Sequence, residues 1–73
     1  MPYERQKAIQ RELDARIPRG LRGGSQNELR FRFYFHRSQG LPFDTSLTSA
    51  VLGVRERDPN FVPRVLPAPT GAG

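Results

Sequence analysis

The sequence predicts a small α+β domain, and three observations carry that prediction. Residues 28–37 read "ELRFRFYFHR", with apolar and polar positions alternating as on a strand half-buried in a sheet. Residues 2–17, "PYERQKAIQRELDARI", repeat their apolar positions at helical spacing. Residues 44–57, "DTSLTSAVLGVRER", do so again over a shorter stretch. At 73 residues the chain is expected to form one domain over 1–66, followed by a disordered tail over 67–73.

The N-terminal helix has its punctuation in place. Pro2 suits a first helical turn, Glu4 sits near the positive end of the dipole, and Glu12 and Arg16 stand four apart. Its apolar stripe is only Ile9, Leu13 and Ile17, with Tyr3 and Ala8 off the edges. So narrow a stripe implies a helix that is docked weakly or completed by something else. Tyr3, Lys7 and Arg11 then lie on its solvated side. Pro18 ends the pattern. Residues 18–27, "PRGLRGGSQN", hold three glycines and two arginines, Arg19 and Arg22, and read as a flexible loop.

In a strand over 28–37, Leu29, Phe31, Phe33 and Phe35 share the buried face, while Glu28, Arg30, Arg32, Tyr34 and His36 share the other. Arg30 and Arg32 then leave the same side about 6–7 Å apart. Core packing would not need them, so replacing both with glutamate is expected to leave the fold intact. "SQGLPF" turns the chain. Over 44–57 a second short helix is favoured, with Leu47, Ala50, Val51 and Val54 on one face and Asp44 or Thr45 as cap. Gly53 and the valines leave a strand open as the alternative. Asp58–Asn60 is a turn with proline at its second position. "FVPRVL", Phe61–Leu66, is a candidate edge strand, limited to an edge by Pro63, and would pair with the central strand in a small antiparallel sheet. The tail "PAPTGAG" has nothing to bury.

Composition narrows the function. Cysteine is absent, which excludes disulfides and thiolate metal sites. No segment approaches the roughly 20 apolar residues of a membrane span, and "MPYERQKAIQ" is charged where a secretory signal is apolar. A location inside the cell is expected. The net charge is +5, and 11 of the 12 basic residues are arginines. GC-rich coding is one account of that ratio; the other is functional, since guanidinium forks suit carboxylates and phosphates. A core this thin also makes a partner or self-association a plausible source of stability.

Catalytic signatures are poor. His36 is the only histidine, no serine stands in a nucleophile elbow, and "GLRGGS" lacks the Lys-Ser/Thr pair of a phosphate-binding loop. No enzyme activity, cofactor or metal is expected. A nucleic-acid platform would need aromatics and arginines on one solvent face. On a strand only Tyr34 shares the basic side, so core phenylalanines beneath a solvated basic face is the preferred reading. A ribbon-helix-helix DNA reader fits less well, because two good helices do not follow the strand.

Taken whole, the opening "MPYERQKAIQRELDARIPRGLRGG", the stretch "ELRFRFYFHR" and the length resemble the small RNA-polymerase-binding transcription regulators of lytic Xanthomonas phages. The resemblance implies a non-enzymatic protein in the host bacterial cytoplasm. It would dock at the N-terminal region of the polymerase's largest (β′) subunit, inhibit initiation by interfering with sigma-dependent promoter recognition, and promote read-through of terminators. It transfers no residue roles. The candidate partner-binding residues come from charge and exposure alone: Arg30, Arg32, Tyr34, Arg19, Arg22, Tyr3, Lys7 and Arg11. Weak nucleic-acid contact is compatible with this reading. The alternatives are a small basic nucleic-acid-binding protein and a structural protein of a phage particle.

Overall fold

The computed structural model describes residues 2–69. It corrects the fold class: the described residues form three helices and no strand. Helix α1 spans Pro2–Arg16, α2 spans Ser25–Ser38, and α3 spans Phe43–Arg55. The expected N-terminal and second short helices are present with small shifts of boundary. The expected central strand is α2.

The reason lies in how four apolar residues at spacing two fall on a helix. Leu29 and Phe33 are four apart and so share one face; Phe31 and Phe35 are four apart and share the opposite side. Leu29 and Phe33 are fully buried, whereas Phe31 is 81 % and Phe35 58 % exposed. Two of the four phenylalanine and leucine side chains that a strand would bury are therefore on the surface. A helix also satisfies its own backbone, which a lone strand cannot do. Glu28 and Arg32 stand at i,i+4 with a 2.8 Å ion pair, which supports the helix locally. The end of α2 has a Schellman geometry. Gly40, at φ +97°, donates to the Arg37 carbonyl, Leu41 donates to that of His36, and Pro42 follows at once.

α2 is the hub. It packs against α3 along an apolar face and against α1 through Leu13 and Ile17 flanked by ion pairs, while the backbones of α1 and α3 do not approach closely. The core joins Leu13 and Ile17 of the α1 end, Leu29 and Phe33 of α2, Ala50, Val51 and Val54 of α3, and Phe61. Phe33 meets Phe43 edge-on at 5.1 Å between ring centroids. All three residues of the narrow α1 stripe, Ile9, Leu13 and Ile17, are buried. The first turns of α1, residues 3–8, are exposed throughout.

The connections are held by side chains. The loop between α1 and α2 is shorter than the expected 18–27, because Ser25 already begins α2. Asn27 accepts a hydrogen bond from the Gly20 amide and donates to the Leu21 carbonyl. Gln26 donates to the Pro18 carbonyl. A Cβ at Gly20 would lie 2.5 Å from Gln26 Cβ, so this close approach needs glycine.

After the turn at 56–60, Phe61–Leu66 forms no strand. Its hydrogen bonding nevertheless imitates one. The Gln26 amide accepts from Arg64 N–H and donates to Arg64 C=O, at 3.0 and 2.9 Å. Two residues on, Leu66 N–H donates to the Arg16 carbonyl and Leu66 C=O accepts from Arg16 Nε, both at 2.7 Å. Residues 67–69 are exposed without secondary structure, and the rest of the expected disordered tail, from 70, lies outside the described residues. No described helix is long and apolar enough to cross a membrane.

Candidate functional site

Two ion pairs cross the α1–α2 seam, and one of them consumes Arg30, a cation singled out from sequence. Arg30 is 7 % exposed. Its guanidinium donates to Asp14 at 2.7 Å and to the Ile17 carbonyl at the end of α1. Arg37 donates to Glu12 at 2.7 Å and to the Leu41 carbonyl at 2.9 Å. The Arg30 hydrogen bond, against a smaller opposing effect of burial, holds the Asp14 carboxyl below its ordinary value, and Gln10 adds a second donor.

This overturns the expectation that Arg30 and Arg32 share a solvent face. On a helix two residues apart are about 200° apart. Arg30 turns inward to α1. Arg32 turns to α3, where its guanidinium lies across Gly53 and its Nε meets Glu28. Glu28 also takes Arg57 at 2.6 Å, and Ser25 Oγ donates to Asp58. The two arginines, Arg32 first, hold the Glu28 carboxyl below its ordinary value. Arg30 is therefore a structural residue, and Arg32 is half spent on an intramolecular pair.

Beside the seam an open cleft of about 640 Å³ runs between α1 and α2. Gln10, Leu13 and Asp14 line it from α1, Asn27, Arg30, Phe31 and Tyr34 from α2, and Arg19 from the loop. Three of the residues marked from sequence, Arg19, Arg30 and Tyr34, meet here. Tyr34 is half-buried and packs against the core. Arg19 is 75 % exposed and stands 3.8 Å from Asp14. Helical spacing continues the Gln10–Asp14 face of α1 to Lys7 and Tyr3. There Lys7 Nζ lies over the Tyr3 ring at 5.3 Å from its centroid. Arg11 and Arg22 are exposed, Arg11 one step round α1 and Arg22 in the loop.

Phe31, Phe35, Gln10 and Asn27 were missed by sequence reasoning. The i,i+4 pairing of Phe31 with Phe35 was the available signal. No three histidine, aspartate or glutamate side chains among the described residues gather as a metal site. No protein-family model matches the chain, and no curated protein or solved structure matches it.

Proposed function

We propose that this chain is a non-catalytic transcription regulator that acts in the bacterial cytoplasm by binding RNA polymerase at the N-terminal region of its largest subunit. It would interfere with sigma-dependent promoter recognition and promote terminator read-through, as its sequence resemblance to the phage regulators implies. The observation that supports a protein-binding role is the exposed start of α1. Its stripe Tyr3, Lys7 and Arg11 recurs every four residues, and residues 3–8 are exposed throughout, with Arg5 reaching the Arg37 carbonyl at 3.4 Å. A helix end left bare in so small a domain is a surface for a partner to complete. Its aromatic and two cations suit a surface rich in carboxylates. The loop cations Arg19 and Arg22 extend the same charge.

The test uses purified bacterial RNA polymerase and the full chain. The wild type should be captured, should inhibit promoter-dependent initiation, and should raise read-through at a terminator. Lys7→Glu with Arg11→Glu should keep the helical circular dichroism spectrum and lose capture by at least ten-fold, since like charges would then face the acidic partner. A wild-type chain that ignores polymerase refutes the partner. A double variant that binds as the wild type does refutes the α1 surface.

A further inference from the structure

We propose that the outward face of α2 is a platform for single-stranded nucleic acid, with bases stacked on Phe31, Tyr34 and Phe35 and the phosphate chain led past Arg19 and Lys7. The strand reading argued against such a platform because it buried the phenylalanines away from the arginines. The helix reverses that premise. Phe31 is more exposed than any other large apolar residue of the described chain except Leu21, and Phe35 follows it one turn on. Tyr34 shares the cleft wall with Phe31 and directly precedes Phe35 on the helix. Single exposed apolar residues are ordinary. A row of three aromatic rings along about 6 Å of one helix face, beside a polar cleft, is a stacking surface.

Charge selects the occupant. Asp14 is the only acidic residue lining the cleft, and Arg30 and Gln10 already satisfy it. Arg19 adds a second positive charge against that one carboxylate, so the lining is net cationic. The antiparallel register places a cation at each end of the aromatic row. Asp14 faces Arg30 near Arg19, while Glu12 faces Arg37 and Arg5 reaches the same residue, which sets Lys7 toward the far end of α2. Planar rings between two cations match alternating bases and phosphates. Stacking tolerates any base, and a duplex, whose bases are already stacked, cannot use the rings. A peptide of acidic residues alone would satisfy the cations but leaves the row of rings without a matching partner. This proposal rests on the aromatic face of α2 with Arg19 and Lys7 beside it, and it does not depend on polymerase binding.

The experiment is fluorescence anisotropy of labelled eight-nucleotide oligo(U) and oligo(dT), against a duplex of equal length, with the full chain at low salt. Single strands should bind at least ten-fold tighter than duplex. Phe31→Ala and Phe35→Ala, both at exposed positions, should each weaken single-strand binding about ten-fold while melting like the wild type. Arg19→Glu should weaken binding and flatten its salt dependence. The chain has two tyrosines and no tryptophan. A Tyr3→Phe variant thus reports Tyr34 alone, and its emission should be quenched by saturating single strand. Duplex bound as tightly as single strand overturns the proposal, as does indifference to both phenylalanine substitutions. So does an acidic Glu/Leu peptide that binds in a Phe31-dependent way while oligonucleotides do not bind.

Discussion

Replacing Arg30 tests the central feature of the α1–α2 seam. Its guanidinium is buried between two acceptors, the Asp14 carboxylate and the Ile17 carbonyl. Loss of a charge-assisted hydrogen bond to a buried carbonyl costs about 1.5–3 kcal/mol. The Asp14 partner is half-exposed, at 49 %, so water replaces much of that pair and it adds only about 0–1 kcal/mol. Arg30→Ala should therefore lose about 2–4 kcal/mol, most of the stability such a small domain can hold. Arg30→Met retains the aliphatic stem and isolates the polar loss. Arg30→Glu should not fold, because it sets a buried carboxylate against Asp14. Urea unfolding followed at 222 nm measures each variant, with an unchanged m-value expected for those that fold. Arg32→Ala is the control and should stay within about 0.5 kcal/mol, since its ion pair is 45 % exposed on the arginine side and Glu28 keeps Arg57. An Arg30→Ala chain as stable as the wild type would refute the reasoning.

Phe33→Ala should cost about 3–5 kcal/mol in the same assay, while Phe31→Ala stays within about 0.5 kcal/mol, because only the first ring is buried. Gly20→Ala should destabilise, since its Cβ would meet Gln26 Cβ at 2.5 Å. Gly53→Ala meets at the same distance only the movable end of Arg32 and should be neutral or gain part of the ~1 kcal/mol of helix propensity. Asp14 and Glu28 both titrate below their ordinary values of 3.8 and 4.5 when folded. The folded chain then binds fewer protons than the unfolded one, so their stabilisation is complete above about pH 5 and is lost as pH falls through the folded values. Acid unfolding of Arg30→Met should show a shallower loss over that window, measured as midpoint urea concentration against pH.

The two outer helices were legible because helical spacing outweighed the competing signals in each. Ile9, Leu13 and Ile17 recur every four residues while Arg11 breaks the alternation a strand would need, and Pro18 closes the pattern. In 44–57, Ala50, Val51 and Val54 outweighed the cost of Gly53, which the structure uses to pass Arg32 across α3. The middle segment differs because alternation also sets Leu29 with Phe33, and Phe31 with Phe35, at i,i+4, so every second apolar position fits a helix face as well. Other marks favoured the helix: Glu28 early in the segment, His36 and Arg37 late, Gly40 and Pro42 just beyond. That one error of period misplaced the candidate site. It put Phe31 and Phe35 in the core and brought Arg30 out to solvent. The choices at Arg19, Arg22, Tyr3, Lys7 and Arg11 were unaffected, because loop and α1 exposure follow from features the sequence states directly. The role of Gln26 and Asn27 was not legible, since their partners lie up to 38 residues away.

The strand-like hydrogen bonding of residues 64–66 also bears on colloidal behaviour. Phe61–Leu66 is rich in valine and apolar side chains, and Val62 and Leu66 are exposed. Such a segment with free main-chain groups is a template for joining another chain edge to edge. Gln26 and Arg16 occupy the donors and acceptors of Arg64 and Leu66 from within the molecule, Pro63 removes one more donor, and the Arg64 charge repels a second copy. The arrangement guards a basic, thin-cored protein against fibrillar self-assembly without requiring a second strand. By the same logic, the Gln26 amide is where a single substitution would turn a docked segment into a sticky one.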